Sequence, residues 1–194
     1  MEQQEIAKRV HDLLEEAVPI LRKIYRGFVN ERPDLLRESR VQFRELVKKR
    51  LPGIEKLTQD RDKNEAVKKF ITALPHLQRV GLAIHNLIDK MEIKAEKKVL
   101  FSPKASDEMK QLMEAVGTVF SNVKDYYSTK NPTLKEQIQA DIGKVRQLAD
   151  DFDLIHQNRL ITGLCVPQAS YLYVDMTDSL KRIAIELAGF SDKA

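Results

Sequence analysis

Apolar residues recur along most of the chain at steps of three and four, the spacing of one face of an α-helix. In the first segment the run is Ile6, Val10, Leu13, Ala17 and Leu21. Six segments show this pattern, and none shows the sustained two-residue alternation that predicts a half-buried strand. We therefore predict an all-α fold of six long antiparallel helices with no sheet.

Prolines indicate where several of the six predicted helices begin. Three of them lie directly before apolar-striped segments, at the first helical position where a missing N–H costs nothing; they are Pro33, Pro103 and Pro132. The pair Pro52-Gly53 predicts the end of a helix. Pro19 and Pro75 lie inside striped segments and predict kinks.

The two halves of the chain are similar to each other. The stretch "LQRVGLAIHN" at 77–86 aligns with "LKRIAIELAG" at 180–189, at an offset of 103 residues. We interpret this as an internal duplication, with one three-helix repeat in 1–98 and another in 99–194. Short connections make neighbouring helices antiparallel, so the repeats are expected to pack together as one domain.

A glycine interrupts the striped helix of the first repeat. Gly81 costs about 1 kcal/mol relative to Ala in a helix interior, so it calls for a compensating role. The aligned residue of the second repeat is Ala184, which is also small. We predict that both residues are buried and allow a neighbouring helix to approach closely.

Three segments of the second half carry a family resemblance. They are "FSPKASDEMKQLMEAV" at 101–116, "TKNPTLKEQIQADIGKVRQL" at 129–148 and "HQNRLITGLCVPQASYLYVDMTDSLKRIA" at 156–184. In order and spacing they resemble PhoU-like phosphate-uptake regulators. The similarity is greatest to the PhoU-like cytoplasmic domain of sodium/phosphate cotransporters. The resemblance implies a PhoU-like bundle of two tandem three-helix repeats and a role in regulating phosphate transport.

The chain departs from that family where metal would bind. The resembled family carries an acidic pair around the Arg of each closing helix, and here the four positions hold Gln78, Leu82, Lys181 and Ile185. Hard cations and iron need oxygen or imidazole ligands, which these side chains do not supply in that pattern. We therefore expect no metal and no other cofactor. The alternative is a metal-binding protein that uses other carboxylates, namely Glu38, Glu45, Glu136 and Asp141.

Candidate catalytic groups are sparse. Asp153 with His156, and His85 with Asp89, have helical spacing and are interpreted as partly exposed hydrogen-bonded pairs. The single cysteine, Cys165, is interpreted as a small buried apolar residue. Because no nucleophile has a nearby base and no glycine-rich phosphate loop occurs, we predict a protein that is not an enzyme.

Composition narrows the setting. The chain has 33 basic and 29 acidic residues, interspersed, and no Trp, which disfavours a nucleic-acid partner. A single cysteine fits a reducing compartment, and no apolar run reaches the roughly 18 residues of a membrane span. The N-terminus also lacks the apolar core of a signal peptide. We expect a cytoplasmic protein.

The resulting functional expectation is a regulatory or adaptor module. It would present helix faces to a membrane transporter or to the signalling partner of one, as the resemblance implies. Tyrosines are favoured at such interfaces, and the candidates are Tyr25, Tyr127, Tyr171 and Tyr173. Long exposed helix faces also predict self-association as a homodimer.

Overall fold

The computed structural model describes residues 2–56 and 65–193, and these form six α-helices. No strand occurs in those two ranges, so the all-α prediction is confirmed there. The helices are α1 (Glu2–Val29), α2 (Pro33–Lys56), α3 (Glu65–Glu96), α4 (Pro103–Thr129), α5 (Pro132–Ile161) and α6 (Pro167–Lys193).

Proline and a polar cap start several of these helices. Pro33, Pro103 and Pro132 each occupy the first helical position, as predicted. Before α4, the Ser102 hydroxyl accepts the backbone N–H of Ala105 at 3.1 Å, which satisfies a donor that has no partner within the helix. At the other end of α2, however, the helix continues through Pro52 to Lys56, so Pro52-Gly53 does not end it.

Three helices end with the same backbone turn. A residue with left-handed φ follows each of α1, α3 and α5, namely Glu31 (51°), Lys98 (51°) and Gly163 (71°). The N–H of the next residue then bonds the carbonyl five residues earlier, as Val99 does with Lys94 at 2.9 Å. Only Gly163 adopts this conformation without the steric cost of a β-carbon, which is about 1 kcal/mol or more for other residues.

Equivalent helices of the two halves pack against each other. The most extensive helix contact joins α3 to α6, and α1 also packs on α4. Both pairs are antiparallel, because contacts run in opposite order along the two helices. On α3 and α6, His76 pairs with Glu186 and Lys90 with Asp175. On α1 and α4, Glu15 pairs with Lys124 and Tyr25 bonds Glu114. One continuous apolar core runs through all six helices.

The two small residues that align between the repeats, Gly81 and Ala184, differ in burial. Ala184 is fully buried, as predicted. Gly81 is only half-buried, and a β-carbon built on it would meet no atom within 4 Å. The prediction of a close helix approach at Gly81 is therefore wrong, because α1, α2 and α3 leave open space beside this residue.

Candidate functional site

Side chains at the positions where the resembled family has acidic pairs make other contacts in this structure. Gln78 donates to Glu55 Oε1 at 3.0 Å, and Lys181 pairs with Asp150 of α5. Leu82 leaves 61% of its surface exposed. These side chains therefore serve helix packing and surface contacts rather than a common ligand set.

The alternative carboxylates do not converge. Glu38 and Glu45 lie on α2, Glu136 and Asp141 lie on α5, and within the described ranges these two helices do not touch. Asp141 is buried, but its oxygens accept hydrogen bonds from Asn122 and Gln137. Among residues 2–56 and 65–193, no group of three His, Cys, Asp or Glu side chains is arranged to hold a metal ion.

The four candidate tyrosines do not form one surface. Tyr127 and Tyr173 are buried, with 3% and 1% of their surface exposed, so their rings belong to the core. Tyr25 is half-buried and bridges α1 to α4. Tyr171 is exposed, and its hydroxyl accepts a hydrogen bond from Lys90 at 2.8 Å. Only Tyr25 and Tyr171 are accessible to a partner.

His156 lies in the core rather than in an exposed pair with Asp153. Its Nε2 lies 2.7 Å from the Ser170 hydroxyl of α6, and its ring stacks on Tyr173 with centroids 4.4 Å apart. The predicted pairing is wrong because the ring turns inward toward α6. Burial lowers the pKa of His156, and the nearby Arg159 guanidinium lowers it further.

A buried ion pair neighbours this histidine. Arg159 donates two hydrogen bonds to the carboxylate of Glu108, at 2.8 and 2.6 Å, and the Tyr173 hydroxyl donates a third at 2.8 Å. Burial, together with the bond to Glu108, raises the pKa of Tyr173. Because both Glu108 oxygens are engaged, the cluster links α4, α5 and α6 and holds no carboxylate free to act as a base.

The remaining candidates from the sequence are the pair of His85 with Asp89 and the single cysteine. Asp89 pairs with Arg40 of α2, which replaces its predicted bond to His85. Cys165 is half-buried in the α5–α6 connection, where it packs against a small apolar cluster that contains Val99 and Leu172.

An apolar groove lies between α3 and the helices α1 and α2. Its volume is about 350 Å³. Its lining is mainly apolar, with Leu13, Leu14, Ala17, Phe43, Val47, Leu51, Leu77, Val80, Ile84 and Phe120. Gly81 contributes bare backbone to the wall, and the exposed Leu82 stands beside it. We call this feature the α1–α2–α3 groove.

Basic and polar side chains edge the groove. Arg44 and Lys48 come from α2, and Gln78 and His85 come from α3. None of the described residues that line it is acidic. Concave sites of this size, apolar with a few polar groups at the edge, are typical of ligand and peptide binding. The sequence signals were Gly81 and Leu82, but their spacing alone did not show that they border an opening.

Comparison with known proteins adds no family to this description. Neither protein-family models nor the curated proteins give a match to the chain. A search of the described helices also finds none with the length and hydropathy required to cross a bilayer.

Proposed function

We propose that this protein is a non-enzymatic regulatory or adaptor module of the PhoU-like kind, which binds a membrane transporter or the signalling partner of one. The observation that carries the proposal is the α1–α2–α3 groove. Its apolar wall and basic edge suit an amphipathic helix that places apolar residues at helical spacing into the groove. Arg44 and Lys48 favour acidic residues along the flank of that helix.

The packing of the helices supports the tandem-repeat part of the proposal. The contacts of His76 with Glu186 and of Lys90 with Asp175 fix the register of the antiparallel α3–α6 pair. In that register Val80 lies about opposite Ile183, its counterpart at the offset of 103. Equivalent residues face each other in this way when two repeats are related by an approximate two-fold axis. This favours repeats at 1–98 and 99–194.

The polar clusters support the non-enzymatic part. Glu108 and Arg159 satisfy each other, and Asp141 is occupied by amide donors. The groove itself contains one imidazole, from His85, and no carboxylate or thiol among the described residues that line it. Binding rather than bond chemistry is therefore the better use of this site.

Filling the groove tests the proposal. Gly81→Leu places a side chain in the opening, while Gly143→Leu is a matched control on the exposed face of α5, where a β-carbon also meets no atom within 4 Å. The probe is 1-anilinonaphthalene-8-sulfonate, an apolar anion. We expect Gly81→Leu to lose most of the probe fluorescence and Gly143→Leu to retain it. Equal fluorescence of both variants contradicts binding in the groove.

Photo-crosslinking tests the nature of the partner. A benzophenone amino acid at Leu82 faces the groove opening, and one at Leu154, which is equally exposed on α5, serves as the control. In cells, we expect a transporter or transport-signalling protein to crosslink at Leu82 only, and Gly81→Leu to abolish the crosslink. Crosslinks that are the same at both positions, or that persist in Gly81→Leu, contradict the proposal.

A further inference from the structure

A second apolar surface projects from one end of the bundle, away from the groove. Four aliphatic side chains there are largely exposed: Leu100 (76%), Ile161 (82%), Leu164 (75%) and Val166 (63%). Ile161 is the last residue of α5, and the other three belong to the α3–α4 and α5–α6 connections, where they line a cavity of about 270 Å³. We call these four residues the apolar tip. Exposed apolar side chains grouped in this way mark interaction sites more often than isolated ones do.

The two connections hold the tip in place from below. Lys98 and Gly163 close the left-handed turns that end α3 and α5. Val99, next to Leu100, is buried against Leu172 of α6. The neighbours of the tip residues are thus anchored in the fold, while the tip residues themselves remain largely exposed.

Positive charge surrounds the tip. The segments 97–104 and 157–166 contain three lysines and an arginine but no acidic residue. Lys97, Lys98 and Lys104 are exposed, and within the described part of the chain none of them forms an ion pair.

The nearest charges of other elements are neutralised. Arg159 is satisfied by Glu108, and Glu31 in the α1–α2 connection is paired with Lys94 at 2.9 Å. Glu96, just before the lysines, is paired with Arg37. Asp153 of α5 also acts on His156 beside the cavity, but the three exposed lysines outnumber it, so the net charge around the tip is positive.

We propose that the apolar tip inserts into the surface of an anionic lipid bilayer. Its aliphatic side chains project from turns at the end of the molecule, and a bilayer yields around protruding side chains, whereas a protein partner would have to supply matching hollows. Lys97, Lys98 and Lys104 reach the lipid phosphates, each worth roughly fivefold in binding near an anionic surface. Aliphatic insertion with a basic flank is the combination that holds peripheral proteins at membranes.

Vesicle binding tests this inference. The protein is sedimented with sucrose-loaded vesicles of equimolar phosphatidylglycerol and phosphatidylcholine, or of phosphatidylcholine alone. We expect binding to the anionic vesicles that weakens with added salt, and little binding to the neutral ones. The variant Ile161→Ser/Leu164→Ser should lose at least about tenfold in binding, and Lys97→Gln/Lys104→Gln roughly 25-fold.

Two controls keep the result specific to the tip. Leu154→Ser removes another exposed aliphatic side chain on α5, outside the tip, and Gly81→Leu fills the α1–α2–α3 groove. Both variants should bind vesicles like the wild type. Loss of binding in Gly81→Leu would contradict insertion by the tip, and the groove would then be the lipid site. Failure of the tip variants leaves the proposed function, which rests on the groove, independently testable.

The single cysteine of the chain provides a direct readout, because Cys165 lies between Leu164 and Val166. An environment-sensitive fluorophore on this thiol should shift to shorter wavelength with anionic vesicles. The same dye at Tyr171→Cys in a Cys165→Ser background should not shift. The inference is overturned if the protein does not bind the anionic vesicles or if the tip variants bind them normally. It is also overturned if a benzophenone amino acid at Leu164 crosslinks to an acidic protein while the vesicles are not bound.

Discussion

Gly189 of α6 and His76 of α3 approach so closely that a β-carbon on Gly189 would lie 2.5 Å from the imidazole Cε1. The sequence predicts a close helix approach at Gly81, but in the structure it occurs at Gly189. The His76 ring is fixed there by Glu186, whose Oε2 lies 2.7 Å from Nδ1 and also accepts from Arg79 at 3.1 Å. The small residue at 189 thus leaves room for a polar link across the largest helix contact of the fold.

We expect Gly189→Ala to destabilise the protein and Gly81→Ala to stabilise it. The new methyl group at 189 must push His76 away from Glu186, with a net cost of about 1–2 kcal/mol after the gain in helix propensity. At position 81 the methyl group enters open space, so only the propensity gain of about 0.5–1 kcal/mol remains. Urea unfolding of both variants measures this. A Gly189→Ala variant more stable than Gly81→Ala contradicts the packing described here.

Glu186 should contribute to the loss of stability in acid. Burial acts to raise its pKa, but hydrogen bonds from His76 and Arg79 outweigh burial and lower the pKa below the ordinary value. A carboxylate whose folded pKa is lowered stabilises the fold above its unfolded pKa of about 4.3, and this contribution is lost as pH falls through the folded pKa.

The measurement is the free energy of unfolding across that acid range. Glu186→Gln should be less stable than the wild type near neutral pH, and its stability should fall less below about pH 4.5. Glu136→Gln, which changes an exposed carboxylate of α5, is the matched control. A wild type and Glu186→Gln with parallel pH profiles would show that this contact does not favour the ionised carboxylate.

The sequence predicts the helices well because their signals are local. A three-and-four spacing of apolar residues defines a buried face without knowledge of what covers it, and Pro33, Pro103 and Pro132 mark starts through their own backbone geometry. The same spacing predicts that Gly81 lies on an inward side. It does not give the distance to the next helix, which depends on how α3 packs against α1 and α2.

The functional features depended on such distant contacts. Helical spacing predicts a pair of His156 with Asp153, three residues away, whereas the partner in the structure is Ser170 on the next helix. Likewise, the run from Ile161 to Val166 shows a turn but not that Leu100 of another connection lies beside it. Tertiary proximity of this kind is not encoded in helical periodicity.

Removing the Glu108 charge should be costly. The side chains of Glu108 and Arg159 are 4% and 12% exposed, so Glu108→Gln leaves a guanidinium without its counter-ion in a buried site. We expect a loss of about 3 kcal/mol in the free energy of unfolding. Asp107 is the residue before Glu108 and forms an exposed pair with Lys110. Asp107→Asn, which breaks that pair, should change stability little. Adding Arg159→Met to Glu108→Gln should recover part of the loss; no recovery would contradict an unpaired charge as its cause.

Metal should be irrelevant to stability. The four acidic positions of the resembled family are Gln, Leu, Lys and Ile here, and the carboxylates of α2 and α5 lie on helices that do not touch within the described ranges. We expect no stoichiometric iron, zinc or nickel in the purified protein and no change in Tm with chelator. Elemental analysis with a paired thermal melt measures both. A tightly held metal would revive the alternative carboxylates as ligands.

We expect His156 to lower the free energy of unfolding as pH falls, in the range above the pKa values of the carboxylates. Its folded pKa is lowered, by burial first and by Arg159 second, with Asp153 and Glu108 acting in the opposite direction. The unfolded chain then binds more protons than the folded one below about pH 6.5, so the free energy of unfolding decreases as pH falls through that value toward the folded pKa. His156→Phe keeps an aromatic ring against Tyr173 and removes the titrating group; with Ser170→Ala, it leaves no unpaired hydroxyl. The double variant should therefore show a flatter profile between about pH 5 and 7 in urea unfolding, whatever its absolute stability. A slope equal to that of the wild type would assign the pH dependence to another group.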